Sequence, residues 1–327
     1  MKLKNAIRAA LILAGSLALT AQAAEAPGKP ECIAPAKPGG GFDITCRIAV
    51  TTFQDLKLLD TPMRVTYMPG GIGAVAYNTV VAQRPDDPNV IVAFSAGSAL
   101  NLALGKYGQF TENDVRWIAI IGADYGVVAV KADSPYQNLK ELLEAVKADP
   151  TKVAFGAGGT VGSQDWMKVA LVVKSAGVDP RQMRFVPFEG GGETTTALLG
   201  GHVQAISGDV AEMLGLLQSG DIRVLAVLND ERLEGEFFAD IPTAREQGYD
   251  VVWETYRGFY TGPKVSDDAY QFWTDAFAKA METEQFAEIR QQRGLFPLSI
   301  TGKEAEDYVK KSVEEYRAVA KDIGLVQ

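Results

Sequence analysis

The chain has 327 residues, a formal charge of −9 at neutral pH, two cysteines and one histidine. A balance this acidic, with no basic run, excludes nucleic acid and anionic membrane as partners. His202 is the only histidine, so no Cys/His cluster is available to hold a metal.

The first residues read as a targeting segment rather than as structure. Lys2, Lys4 and Arg8 precede an apolar run, Ala9 to Leu19, and then the small-x-small site Ala21-Gln22-Ala23. That run is too short to span a bilayer, and its flanks are those of a secretory signal peptide (residues 1–23), cut after Ala23 with Ala26 as second choice. No cysteine lies near the cut to carry a lipid anchor, and no later stretch is long and apolar enough for a membrane helix. Loss of Lys2, Lys4 and Arg8 leaves a formal charge of −12. The expected product is an exported, soluble monomer of about 300 residues, enough for two domains with cores of their own.

The next stretch organises the chain. Glu31-Cys-Ile-Ala is a short apolar strand, and Asp43 to Phe53 has a helix's apolar face in Ile44, Cys46 and Ile48. Between them lie Lys37, two prolines and the run Gly39, Gly40, Gly41. A helix start leaves several N–H donors unpaired, with partial positive charge, and glycine lets a ligand approach them closely. Strand, glycine turn and helix start together make an anion site. Asp43 is the expected N-cap. Cys32 and Cys46, fourteen apart, flank the loop; a disulfide between them is expected in an oxidising compartment, two buried thiols being the alternative.

The same pattern recurs along the chain. Met63 to Met68 is a strand, Pro69-Gly-Gly-Ile-Gly a turn and Ala74 to Gln83 a helix; Asn89 to Phe94 is a strand ending in Ser95-Ala-Gly-Ser98. Arg116 to Ile121 is a further strand, and from Tyr125 the alternation starts again. Tyr125 to Val130 leads to a helix at Leu139 to Ala148 with Asn138 as its cap. Lys152 to Phe155 runs into Gly156-Ala-Gly-Gly-Thr-Val-Gly-Ser163, and Met183 to Phe188 into Glu189-Gly-Gly-Gly-Glu. Val203 to Ile206 ends at Ser207-Gly-Asp209, Val224 to Leu228 follows, and Val251 to Tyr260 is long for one strand. Helices fill the rest: Asp267 to Met281, a short one from Glu284, and Lys303 to Asp322. Strands alternating with helices at this spacing argue parallel α/β sheets, whose ligands bind beyond the C-terminal strand ends.

Rival chemistries fit less well. Gly71-Ile-Gly-Ala-Val-Ala76 matches a dinucleotide fingerprint, but the next strand ends in Ser95 where an acidic residue is needed. No Gly-Lys-Ser/Thr phosphate loop and no G-x-S-x-G occurs. Asp43, Glu189 and Asp209 are the candidates for acid–base work in an exported enzyme, the rival class.

Pro35-Ala-Lys-Pro-Gly-Gly-Gly-Phe-Asp43 resembles the first loop of the periplasmic solute receptors of tripartite tricarboxylate transporters, and Pro69-Gly-Gly-Ile-Gly-Ala the second. Gly156 to Ser163, Pro187 to Gly192, Leu199-Gly-Gly-His-Val and Ile241-Pro-Thr-Ala-Arg-Glu-Gln-Gly follow in the family's order. The cysteine-containing opening is most similar to the citrate-type branch, whereas Ser95-Ala-Gly-Ser98 stands where Thr-Pro-Gly is usual. The resemblance implies a two-lobed α/β clamshell without cofactor or catalytic residues. It would bind a small carboxylate and hand it to a membrane permease.

The expected division is a discontinuous first domain, residues 27–124 plus 253–327, and a second at 125–252. The chain would cross between them near Gly122 to Tyr125 and near Val251 to Tyr256. One cleft wall is expected from Lys37, Gly39 to Gly41, Phe42 and Asp43 with Ser95 and Ser98. The other is expected from Gly158, Gly159, Thr160, Ser163, Gly190, Gly191, Gly192 and Asp209, with Tyr256 and Arg257 near the hinge. Helix N-capping is the alternative role for the serines and Thr160. Citrate or another di- or tricarboxylate, held by Lys37 and Arg257, is the first expected ligand. An aromatic or hydroxylated monocarboxylate stacked on Phe42 and Tyr256 is the second. An amide or amino acid meeting Asp43 or Asp209 is the third.

Overall fold

The computed structural model describes residues 27–322, so the expected signal peptide lies outside the described residues. Strand β1 (Glu31–Ala34) is buried along its whole length and leads through the glycine turn into α1 (Gly41–Asp55). Phe42, Cys46, Ala49 and Phe53 recur at helical spacing, and all four are buried. Cys32 on β1 and Cys46 on α1 form a disulfide, with Cα atoms 5.7 Å apart. Next come β2 (Arg64–Tyr67), α2 (Ala74–Gln83), β3 (Val90–Ser95) and α3 (Ala96–Ala103). β4 (Arg116–Lys131) is followed by α4 (Leu139–Ala148), β5 (Ala154–Gly158), α5 (Gln164–Ser175), β6 (Arg184–Phe188) and α6 (Gly191–Leu199). The chain continues with β7 (Ala205–Asp209), α7 (Val210–Ser219), β8 (Ile222–Leu228) and β9 (Glu254–Thr261). It ends in α8 (Asp267–Met281), α9 (Glu284–Gln292), β10 (Ile300–Thr301) and α10 (Gly302–Asp322).

Each lobe is built on three parallel strands, β2-β1-β3 in the first and β6-β5-β7 in the second. Parallel neighbours need a crossover, and here each crossover is a helix, so helix starts gather at the C-terminal strand ends. The lobes share β4. Its first part, Arg116–Tyr125, pairs with β9, and Gly126–Lys131 pairs with β8. The sequence suggests two strands here. Bulges at Trp117/Ala119 and Ile120/Gly122 bend one continuous strand instead, and Gly122 admits the Leu295 side chain where a Cβ would crowd it at 3.0 Å. The sheets are more mixed than expected: β9 runs against β3 and β4, and β4 against β7, β8 and β10.

Both faces of each sheet are covered. In the first lobe Phe53 packs on Trp273 and Phe277, with ring centroids 5.9 and 4.8 Å apart, on one face. Tyr77, Phe94, Trp117 and Tyr260 fill the other. Burying each such ring contributes about 1.5–3 kcal/mol. α8 to α10 therefore belong to the first lobe's core although they follow the second lobe in sequence. Leu142, Val146, Phe155 and Val169 pack one face of the second lobe's sheet, and Leu198, Ile206, Met213 and Val227 the other. No helix among the described residues is long and apolar enough to cross a membrane.

Candidate functional site

The N-termini of α1, α3, α5, α6 and α7 converge on one interior cavity between the lobes. Gly40, Gly41 and Phe42 line it from α1, Ser95 and Gly97 from α3, and Ser163, Gln164 and Asp165 from α5. Gly190 and Gly191 come from α6, Asp209 and Glu212 from α7, and Arg257 from β9. The free space is about 50 Å³ for the centres of water molecules. Ile72 and Asn101 separate it from an outer chamber lined by Lys106, Gly159, Thr160 and Glu189. The lobes touch through glycine. A β-carbon on Gly192 would lie 2.3 Å from the Pro38 carbonyl oxygen, and one on Gly40 would lie 3.3 Å from the Gly191 nitrogen. The glycine runs thus serve lobe-to-lobe approach as well as solute access. Gly41 has a further reason to lack a side chain, because its β-carbon would meet Arg257 Nη1 at 1.9 Å.

A buried ionic cluster forms the cavity floor. Arg257, 2% exposed, donates from Nε to Asp124 Oδ2 at 2.8 Å and from Nη2 to Asp209 Oδ2 at 3.0 Å. Lys168 donates from Nζ to Asp165 Oδ1 at 2.8 Å, to the Gly208 carbonyl at 3.2 Å, and to Asp209 Oδ1. Gln164 joins the lobes, donating to Asp209 Oδ2 at 3.1 Å and accepting from Thr255 Oγ1 at 3.2 Å. Ala211 N–H donates to Asp124 Oδ1 at 3.2 Å, so α7 starts on a carboxylate from the shared strand. Glu212 crosses the cleft, its Oε1 accepting from Gly41 N–H at 2.7 Å, while its Oε2 is buried without a partner. Burial pushes the Glu212 carboxyl up to about 7, with Arg257 opposing and Asp209 and Asp165 reinforcing the rise. Burial likewise raises Asp124 to about 6 against the pull of Arg257. Burial raises Asp165 too, while Lys168 sits above its ordinary value because Asp165 and Asp209 outweigh its own burial.

The structure places the sequence-predicted residues unevenly. Gly40, Gly41, Phe42, Ser95, Gly158, Ser163, Gly190, Gly191, Asp209 and Arg257 line the cavity, and Gly159 and Thr160 line the outer chamber. Gly39 and Gly192 meet at the lobe contact. Asp43 is not the N-cap, a place Gly40 holds. It lies three residues further on and accepts from Gly39 N–H, Arg47 Nε and Tyr67 Oη at 2.9 Å each, which fixes the loop and leaves no room for an ammonium partner. Ser98 turns back onto Ser95 N–H in a capping box. Ser163 caps α5 and donates to the Gly158 carbonyl. Lys37 stays at the exposed rim, paired with Glu193 of the opposite lobe. Tyr256 misses the cleft. Alternation along β9 sends Arg257 to the cavity and Tyr256 into the core, its ring edge-on to Phe94 and Tyr308.

Sequence reasoning missed Asp124, Gln164, Asp165, Lys168 and Glu212. Two of them carried a readable signal: Lys168 interrupts the apolar stripe Val169, Val172, Val173, and Asp124 sits inside an otherwise apolar strand. Among the described residues no Asp/Glu/His/Cys group is arranged to hold a metal.

A family model described as "Tripartite tricarboxylate transporter family receptor" matches residues 51–325. The chain is similar to the "UPF0065 protein in gbd 5'region" of Cupriavidus necator, 25% identical over 298 residues, 88% of this chain and 85% of that protein. Among solved structures, the periplasmic binding protein BugD superposes with a TM-score of 0.80 at 21% identity, over 91% of this chain and 99% of BugD. MatC from Rhodopseudomonas palustris with bound malate superposes with a TM-score of 0.75 at 18% identity, over 89% and 98%. The two-lobed α/β fold, the glycine loops facing each other across a cleft and the match over most of its length agree: the chain belongs to the tripartite tricarboxylate transporter family of receptors.

Proposed function

We propose that this receptor captures one small carboxylate in the periplasm and presents the closed form to a membrane permease. The observation that carries the reading is the convergence of five helix N-termini on one cavity, among which α6 has no side-chain cap on its Gly190 start. Unpaired N–H groups with partial positive charge attract a carboxylate even where the surrounding field is acidic. The malate in MatC, a relative in fold, supports the same class. The preference for citrate weakens, because both cations invoked for it are already paired, Lys37 with Glu193 and Arg257 with Asp124 and Asp209. The aromatic alternative weakens too, since Tyr256 offers no ring to the cleft.

The first lobe comprises residues 27–124 plus 253–327 and the second 125–252, following a leader at 1–23. β4 and β9 act as the hinge strands, and solute bridging both walls shifts the population toward closure. The solute is carried, not converted. A thermal-shift panel of small mono-, di- and tricarboxylates on the mature protein tests this. Ligand at 100 times its dissociation constant stabilises by about 2.7 kcal/mol. One-to-one binding with the acid recovered intact supports the proposal; conversion of the acid, or a panel without any shift, overturns it.

A further inference from the structure

Resting on the carboxylate reading above, we propose that the solute also bears a cationic nitrogen, an ammonium near its carboxylate, and that Glu212 receives it. Four carboxylates, Asp124, Asp165, Asp209 and Glu212, surround the cavity floor, against the two cations Lys168 and Arg257. Each cation already serves two carboxylates: the guanidinium bridges Asp124 and Asp209 through Nε and Nη2, and the ammonium is shared by Asp165, Asp209 and the Gly208 carbonyl. Glu212 is the carboxylate left over. Its side chain is 8% exposed, Arg257 comes no nearer than 3.9 Å, and its Oε2, in the cavity wall, meets no donor. A buried acceptor without a donor is costly, and an ionised one more so.

A plain dicarboxylate finds no cation at this floor that is not already paired with two carboxylates, and it adds charge to an acidic site. An ammonium supplies the missing donor to Oε2, while its carboxylate faces the uncapped start of α6 or reaches outward toward Lys106. Neither Asp43 nor Asp209 serves instead, because Gly39, Arg47 and Tyr67 engage the first and Gln164, Lys168 and Arg257 the second. The raised Glu212 carboxyl gives the proposal a second readout. A cation at Oε2 favours ionisation, so binding near pH 7 releases protons. The charged groups acting on Glu212 are Arg257 of the first lobe and Asp209, Asp165 and Lys168 of the second, and Glu189 lines the same cavity. Asp124 does not line the cavity and is already tied to Arg257.

Calorimetric titration of the full mature protein with succinate, malate and aspartate decides, because the three differ only by hydrogen, hydroxyl or ammonium on one carbon. Glutarate with glutamate, and butyrate with 4-aminobutyrate, extend the comparison in length and charge. The expected result is that an amino acid binds at least about tenfold tighter than both its hydroxylated and its plain counterparts. Heats in phosphate and Tris should show proton release, and Glu212→Gln should remove both the preference and the release. Equal or tighter binding of plain or hydroxylated acids overturns the inference and leaves the carboxylate receptor standing. Binding of simple amines alone overturns the carboxylate half, and binding of neither class overturns both. The wild-type comparison and the two-buffer measurement stand even if Glu212→Gln folds poorly.

Discussion

Replacing Arg257 by leucine tests how the cleft floor is held. The guanidinium lies within 3.0 Å of both Asp124 and Asp209, and all three side chains are at most 3% exposed. Leucine keeps much of the volume but leaves buried Asp124 without its cation and Asp209 with Lys168 alone. Removing one partner of such a cluster costs about 3–5 kcal/mol, because the stranded charge is not resolvated. For a lobe-sized cooperative unit each kcal/mol is worth about 2–4 °C, so the midpoint should fall by roughly 6–20 °C at pH 8. The sign of the pH effect follows from the same groups. Without Arg257 the Asp124 carboxyl, already raised by burial, holds its proton more tightly still, so acid neutralises the stranded charge and the deficit should shrink by pH 5. Scanning calorimetry of both proteins at the two pH values reads this directly. A change under about 2 °C at pH 8, or a deficit that grows toward pH 5, refutes the reasoning.

Other outcomes follow from single contacts. Gly192→Ala puts a β-carbon 2.3 Å from the Pro38 carbonyl, a backbone atom that cannot step aside, so closure and solute affinity should be lost while each lobe keeps its unfolding transition. Calorimetric titration beside circular dichroism checks both halves. Reducing the Cys32–Cys46 bridge, which spans 14 positions, should cost about 3 kcal/mol by the chain-entropy account, seen as a lower midpoint in the Cys32→Ser/Cys46→Ser protein. Glu212 has its folded carboxyl raised from 4.5 to about 7, so its contribution is fully present below pH 4.5 and is lost as pH climbs to 7. Glu212→Gln should therefore flatten the fall in stability between pH 5 and 8, by an amount on the order of a few kcal/mol. Tyr256→Phe should leave solute affinity unchanged, because the ring belongs to the core beneath β9.

The parallel units, the three C-terminal helices and the cysteine pair were legible because each rests on local pattern: apolar period, glycine turns and capping residues. The first loop was legible for the same reason, since a strand, three glycines and a helix are contiguous there. The floor was not, because it is assembled from β4, α5, α7 and β9, far apart in sequence. Glu212 shows the difficulty well. Asp209-Val-Ala-Glu212 has the spacing of a capping box, which points to a local role, yet Asp209 makes no cap bond and Glu212 reaches the opposite lobe. Tyr256 and Arg257 are neighbours in sequence, but adjacent strand residues face opposite sides and only Arg257 enters the cleft.

Small-angle scattering combined with titration tests the central claim most directly. The acid giving the largest midpoint shift is added to the mature protein in steps, and the radius of gyration is followed against the molar ratio. A closing receptor contracts, saturating at one acid per chain, and the acid is recovered chemically unchanged. Binding at one equivalent without contraction, or recovery of a converted acid, would contradict that claim.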